Sequence, residues 1–153
     1  MRWLIFTLGV LALTGCGTDS EDEAPRFSVA AVPKTPGYAT LVVYRQGITP
    51  YRRGAELDVN GQEAMSLDAF TFTLILAKPG HVHIHSSWAF DLLYMPTGDV
   101  DLDVQAGQIY YFEITPDLVQ EDPATAVGPL QQCCRYEPVS DSYRPAGYSP
   151  PAD

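Results

Sequence analysis

Basic residues are scarce in this 153-residue chain: nine lysines and arginines stand against 19 aspartates and glutamates, for a formal net charge of −10. Nucleic acids and anionic lipid headgroups are bound through basic patches, so this balance disfavours both as partners, and Arg52-Arg53 beside Tyr51 is the only basic pair. Long apolar runs are missing too. The run from Trp3 to Leu13 has 11 residues, and a helix needs roughly 20 to cross a bilayer. There is no Gly-X-Ser-X-Gly elbow, a Ser-His-acid triad cannot be recognised by spacing alone, and no glycine-rich loop is built to cradle phosphate. No stretch of ten or more residues combines helical spacing with caps. The chain is therefore expected to be neither an enzyme nor a helical protein.

What is present begins at the N-terminus. Arg2 is the only charge before the apolar run, which closes on Leu13-Thr14-Gly15-Cys16. A positive start, a short apolar core and small residues at its end form the layout of a secretory signal peptide. The ending resembles the lipobox of bacterial lipoproteins. That resemblance implies cleavage after residue 15 and lipidation of Cys16, with palmitate-type acyl chains as the covalent group; beside that lipid the reading expects no cofactor, with zinc or copper as the alternative. Each buried methylene contributes about 0.8 kcal/mol, one chain holds reversibly and two or three hold lastingly. The expected localisation is membrane-anchored and extracytoplasmic, in the cell envelope. Gly17 stands where inner-membrane retention signals usually place Asp, which favours the periplasmic face of the outer membrane in a host with two. Removing residues 1–15 takes away Arg2 and no acid, leaving eight basic and 19 acidic residues, a net −11.

The remaining 138 residues suit one domain. Residues 16–36 read as anchor and tether: Thr18-Asp19-Ser20-Glu21-Asp22-Glu23 is too polar to bury surface, while Phe27 to Val32 suits a first edge strand ended by Pro33. Residues 136–153 carry Pro138, Pro145, Pro150 and Pro151 and read as a frayed tail, with a proline-rich recognition segment as the alternative. The domain itself, residues 37–135, reads as strands. Tyr38 to Arg45 is rich in β-branched and aromatic residues. Glu56 to Val59 meets Gln62 to Met65 across Asn60-Gly61, the strongest short-range hairpin signal. Phe70 to Ala77, His81 to Trp88, Asp99 to Val104 and Ile109 to Thr115 follow, separated by Lys78-Pro79-Gly80, Pro96-Thr97-Gly98 and Ala106-Gly107-Gln108. About seven short strands at this spacing predict an all-β fold, a single antiparallel β-sandwich.

The order of these features, with a strand ending in Arg45, Val59-Asn60-Gly61, Lys78-Pro79-Gly80-His81, and Ala106-Gly107 before Tyr110-Tyr111-Phe112, resembles the small lipoprotein domains of the DUF2846 type. More loosely, it resembles PEGA and transthyretin-like sandwiches. The resemblance implies a fold and an envelope setting and supplies no catalytic residues.

Three clusters carry chemistry. His81, His83 and His85 are all the histidines in the chain, and on a strand they share one face, with neighbours roughly 6.5 to 7 Å apart at Cα. Two imidazoles at that spacing can share zinc or copper, completed by a carboxylate such as Asp91, Asp101 or Asp103; the other reading is a solvated strand with Val82 and Ile84 inward. Asp99, Asp101 and Asp103 alternate with aliphatics and do not wrap calcium. Cys133-Cys134 is left with two thiols once Cys16 is lipidated, and a vicinal bridge, two buried thiols, a link to another chain and a redox pair all stay open. The expected role is a lipid-anchored envelope accessory or interaction module that binds another envelope component. A metal-binding protein using His81, His83 and His85 is the alternative, and a hydrolase built on that metal a third.

Overall fold

The computed structural model describes residues 26–48, 52–88 and 98–143. Among them the chain forms a 3₁₀ turn at Val29–Ala31, then β1 (Ala39–Arg45), β2 (Ala55–Val59), β3 (Gln62–Leu67), β4 (Thr71–Ala77) and β5 (Gly80–Trp88). Next come β6 (Gly98–Val104), β7 (Ile109–Ile114), β8 (Leu118–Glu121), helix α1 (Pro123–Cys133) and β9 (Arg135–Tyr136). The Asn60-Gly61 hairpin forms as expected. Both residues take positive φ, 53° and 76°, which a two-residue turn between right-twisted strands demands.

Two sheets result, one of five strands in the order β8-β7-β1-β4-β9 and one of four in the order β3-β2-β5-β6. They pack face to face as an all-β sandwich. Strands of period two each send one row inward, and Leu41, Val43, Leu57, Leu67, Ile75, Val82, Ile84 and Phe112 build the core between the sheets. Among the described residues there are nine strands rather than about seven, and β1–β7 and β4–β9 run parallel inside the otherwise antiparallel arrangement.

The two outer faces differ. That of the five-stranded sheet is covered by α1 and the segment around the 3₁₀ turn, where Phe27, Val32, Ala126, Leu130 and Cys134 pack on Val42, Tyr44, Phe72 and Tyr111. Phe27 meets Phe72 edge-on at 5.2 Å. Layers on both sides explain why β1 is buried at all seven positions, as a strand with no solvent face must be.

Three expectations need correction. Phe27 to Val32 is not an edge strand: the segment turns through a 3₁₀ helix at Val29–Ala31, which lets Phe27 and Val32 on either side of it both face the sheet, and only Arg26 bridges, to Arg135. A helix exists at Pro123–Cys133. Asp122 precedes Pro123 at the first helical position, and Ala126 and Leu130 one turn apart bury its face, but Gly128 and Pro129 interrupt the pattern. The tail is shorter than 136–153. Tyr136 pairs with Phe72 in β4, the Glu137 N–H donates to the Phe72 carbonyl at 2.8 Å, and the Ser140 N–H donates to the Ala64 carbonyl at 2.9 Å. Tyr143 then enters the inter-sheet core at 5% exposure, so residues 136–143 strap one open side of the sandwich. Residues 144–153 lie outside the described residues. On the opposite side Gly98 of β6 meets Leu118 of β8.

Arg45 ends the inward row of β1 and is fully buried. Its guanidinium carbon stands 4.7 Å over the Trp88 ring, and Nη1 donates to the Arg53 carbonyl. Burial holds its pKa below the ordinary arginine range, opposed by Asp68. Among the described residues no helix is long and apolar enough to cross a membrane.

Candidate functional site

The outer face of the four-stranded sheet carries no covering element among the described residues, and the histidines lie there. Strand β5 alternates Val82 and Ile84 inward, at 1% and 0% exposure, with His81, His83 and His85 outward. Strand β6 places its aspartates on the same face through an antiparallel register that sets His81 opposite Asp103, His83 opposite Asp101 and His85 opposite Asp99. On the other flank, β2 brings Asp58 opposite His85. The Asn60 Oδ1 accepts the His83 backbone N–H at 2.9 Å, and the Asn60 N–H donates to the His83 carbonyl at 2.8 Å.

The side chains form a zigzag across the two strands. Asp101 Oδ1 lies 3.2 Å from His81 Nε2 and 3.0 Å from His83 Nδ1. Asp99 Oδ1 lies 3.5 Å from His83 Nε2 and 2.8 Å from His85 Nδ1. The outermost pair, His81 Nδ1 and Asp103, is at 3.9 Å. Exposure falls along the row, from 66% for the His81 side chain to 42% for His83 and 31% for His85. A neutral imidazole has one donor and one acceptor, whereas an ionised carboxylate only accepts. His83, with a carboxylate beside each ring nitrogen, therefore donates to both only as imidazolium. Exposed ion pairs of this kind contribute about 0–1 kcal/mol each, so the ladder is weak as a fastener.

Sequence reasoning named Asp101 and Asp103 as completing carboxylates, and both are beside the row. Asp99, read there only as part of a solvated face, bridges two histidines, and Asp58 was missed. The signal for Asp99 was present: His-X-His-X-His and Asp-X-Asp-X-Asp have equal spacing, and imidazole N–H donors complement carboxylate acceptors, which suits cross-strand neighbours. Asp91, Tyr51 and Cys16 lie outside the described residues. Among the described residues, no three His, Cys, Asp or Glu side chains are already gathered about one ion position.

The other clusters are elsewhere. Cys133 and Cys134 are joined to each other in a vicinal disulfide at the end of α1. Cys134 is buried, with its Sγ 3.7 Å from the Arg45 carbonyl, and as a disulfide sulfur it has no proton to donate. This pair sits on the covered face of the five-stranded sheet, with the whole sandwich between it and the histidines. A mostly apolar cleft of about 180 Å³, lined by Phe27, Ala31, Val32, Phe72, Leu74 and Tyr136 together with Arg26 and Ser28, opens on that same side. Its lining holds no carboxylate, imidazole or thiol. On β7, burial pushes the Glu113 carboxyl up, partly offset by the hydrogen bond that Gln46 Nε2 donates to its Oε1 at 2.9 Å. Burial also pushes the Tyr143 hydroxyl up to about 12. Comparison with family models and with the curated proteins finds no match to the chain.

Proposed function

We propose that this chain is a lipid-anchored cell-envelope module, without catalytic activity of its own, that presents the outer face of its four-stranded sheet to another envelope component. The observation that carries the reading is the unequal cover of the two sheets. Apolar residues and a helix seal one face, while the other shows a polar, charged surface in which His, Asp and Glu residues stand in register. The Leu13-Thr14-Gly15-Cys16 sequence supports the anchor, and the acidic residues that follow suit a solvated spacer. With an envelope setting also implied by the DUF2846-type resemblance, the expected location is the periplasmic face of an outer membrane.

The test is site-specific photocrosslinking in living cells. Crosslinking residues replace Glu56 and Ser87, which pair on the presented face, and Gln131 on α1 serves as the covered-side control. Adducts from Glu56 and Ser87 that vanish in a Cys16→Ala background are expected. Adducts from Gln131 alone, or none from an abundant anchored protein, would sink the reading.

A further inference from the structure

We infer that His83 and His85 of β5, with Asp99 of β6 and Asp58 of β2, form a binding site for one divalent transition-metal ion of the zinc or copper kind. This rests on the reading of that face as the one presented outward and says what it takes up. Successive outward residues of a strand hold their Cα atoms roughly 6.5 to 7 Å apart, and two imidazoles rooted at that spacing can turn their edges toward one point. Here that point is already marked. A single oxygen, Asp99 Oδ1, lies 3.5 Å from a nitrogen of His83 and 2.8 Å from a nitrogen of His85.

An ion needs nitrogens about 2.0–2.1 Å away, with carboxylate oxygens at about 2.0–2.2 Å. Reaching that geometry takes rotation about the terminal torsions of partly exposed side chains, which are broad wells. Asp58 is the fourth group of the proposed site. It stands in register with His85 on the strand opposite Asp99, so the two carboxylates are rooted on the two flanks of β5. Two imidazoles and two carboxylates suit zinc or copper in the ordering of ligand softness, and they do not suit calcium, which wants six to eight oxygens.

His81 is the internal control. It lies on the same face and pairs with Asp101 and Asp103, but β2 ends its pairing with β5 at Val59 and Ile84 and sets no carboxylate opposite His81. His81 is also the most exposed of the three, at 66%. The ion is therefore placed at the His85 end of the row. The main chain of His83 is held by two hydrogen bonds with Asn60, one to its Oδ1 and one from its N–H, which fix β5 against the hairpin.

Zinc chloride titrated calorimetrically into the full-length protein in detergent micelles, without an affinity tag, tests the site. One zinc per chain is expected. Loss of an outer-shell group already costs about 10–100-fold in affinity, so His83→Ala and His85→Ala should each weaken binding by at least about tenfold, and His81→Ala by about twofold or less. Copper(II) should show hyperfine coupling from two imidazole nitrogens in its electron spin resonance spectrum. No zinc uptake by the unaltered protein, an equal loss with His81→Ala and His85→Ala, or a nitrogen count other than two would overturn the assignment. The three histidines face outward, and a circular dichroism melt of each variant verifies that folding is retained. Zinc uptake is read without any partner, so its failure leaves the crosslinking result standing, and failure of crosslinking leaves the zinc result standing.

Discussion

Replacing Gly98 with alanine should loosen one entire side of the sandwich. A Cβ there would lie 2.1 Å from the Leu118 backbone nitrogen, 2.5 Å from its Cβ and 2.8 Å from its Cα, where ordinary contact begins at 3.4 Å. The obstacle is backbone, so no rotamer change relieves it, and β6 and β8 must part by more than 1 Å. Overpacking in a well-filled core costs about 1–3 kcal/mol, and the high end applies when strands must move. Leu118 is 5% exposed within the inter-sheet core, and partial expulsion of its side chain adds a share of the roughly 1.5–3 kcal/mol that burial of such a residue contributes. A loss of about 3 kcal/mol follows. At about 3–5 °C per kcal/mol for a domain of this size, Tm should fall by about 10 °C. Urea unfolding followed by circular dichroism should show a lower midpoint with an unchanged slope. Asp103→Ala, exposed and on the same strand, should stay within about 0.5 kcal/mol of the parent. A Gly98→Ala protein equally close to the parent would refute the close approach of β6 and β8.

Glu113→Gln should stabilise the protein at neutral pH and give little at pH 3. Burial raises the folded-state pKa of this acid above its unfolded value, so its contribution is complete below the unfolded value and is lost as pH rises through the raised one. Urea midpoints at both pH values check the sign, and a variant no more stable than the parent at pH 7 would contradict it. Leu130→Ala empties a fully buried site under α1 and should cost about 2–5 kcal/mol by the same urea assay; a loss under 1 kcal/mol would mean that the helix does not seal the sheet. Without reductant, Cys133 and Cys134 should resist alkylation, and their peptide should weigh two hydrogens less than the reduced form. Alkylated cysteines in the unreduced, denatured protein would show free thiols instead.

Local chemistry made much of this fold readable. Asn60-Gly61 specifies its own turn, and the strict alternation of Asp99 to Val104 assigns its acids outward because a strand has period two. Pairing partners were another matter. Nine residues separate Trp88 from Gly98, and a connection of that length does not fix the register of β5 against β6 as a two-residue turn does. The histidine row was therefore legible, but its carboxylate partners needed the structure. The parallel pairing of β1 with β7 leaves no local mark at all. Strand β8, four residues long, and α1, whose apolar pattern Gly128-Pro129 interrupts, each hold too few periodic positions to stand out, and tertiary packing decides them.

That parallel pairing also sets an order of events in time. Thr40 finds Ile109 only when 68 residues have intervened, and β1 lies between β4 and β7 in the centre of its sheet. When a chain emerges N-terminus first, β1 can pair with β4 early but keeps its other edge unpaired until β7 arrives. Long-range closure of this kind slows folding, and an unpaired apolar edge invites pairing with other chains. The interval between the emergence of residue 77 and of residue 114 is therefore when a holding chaperone would protect this protein most.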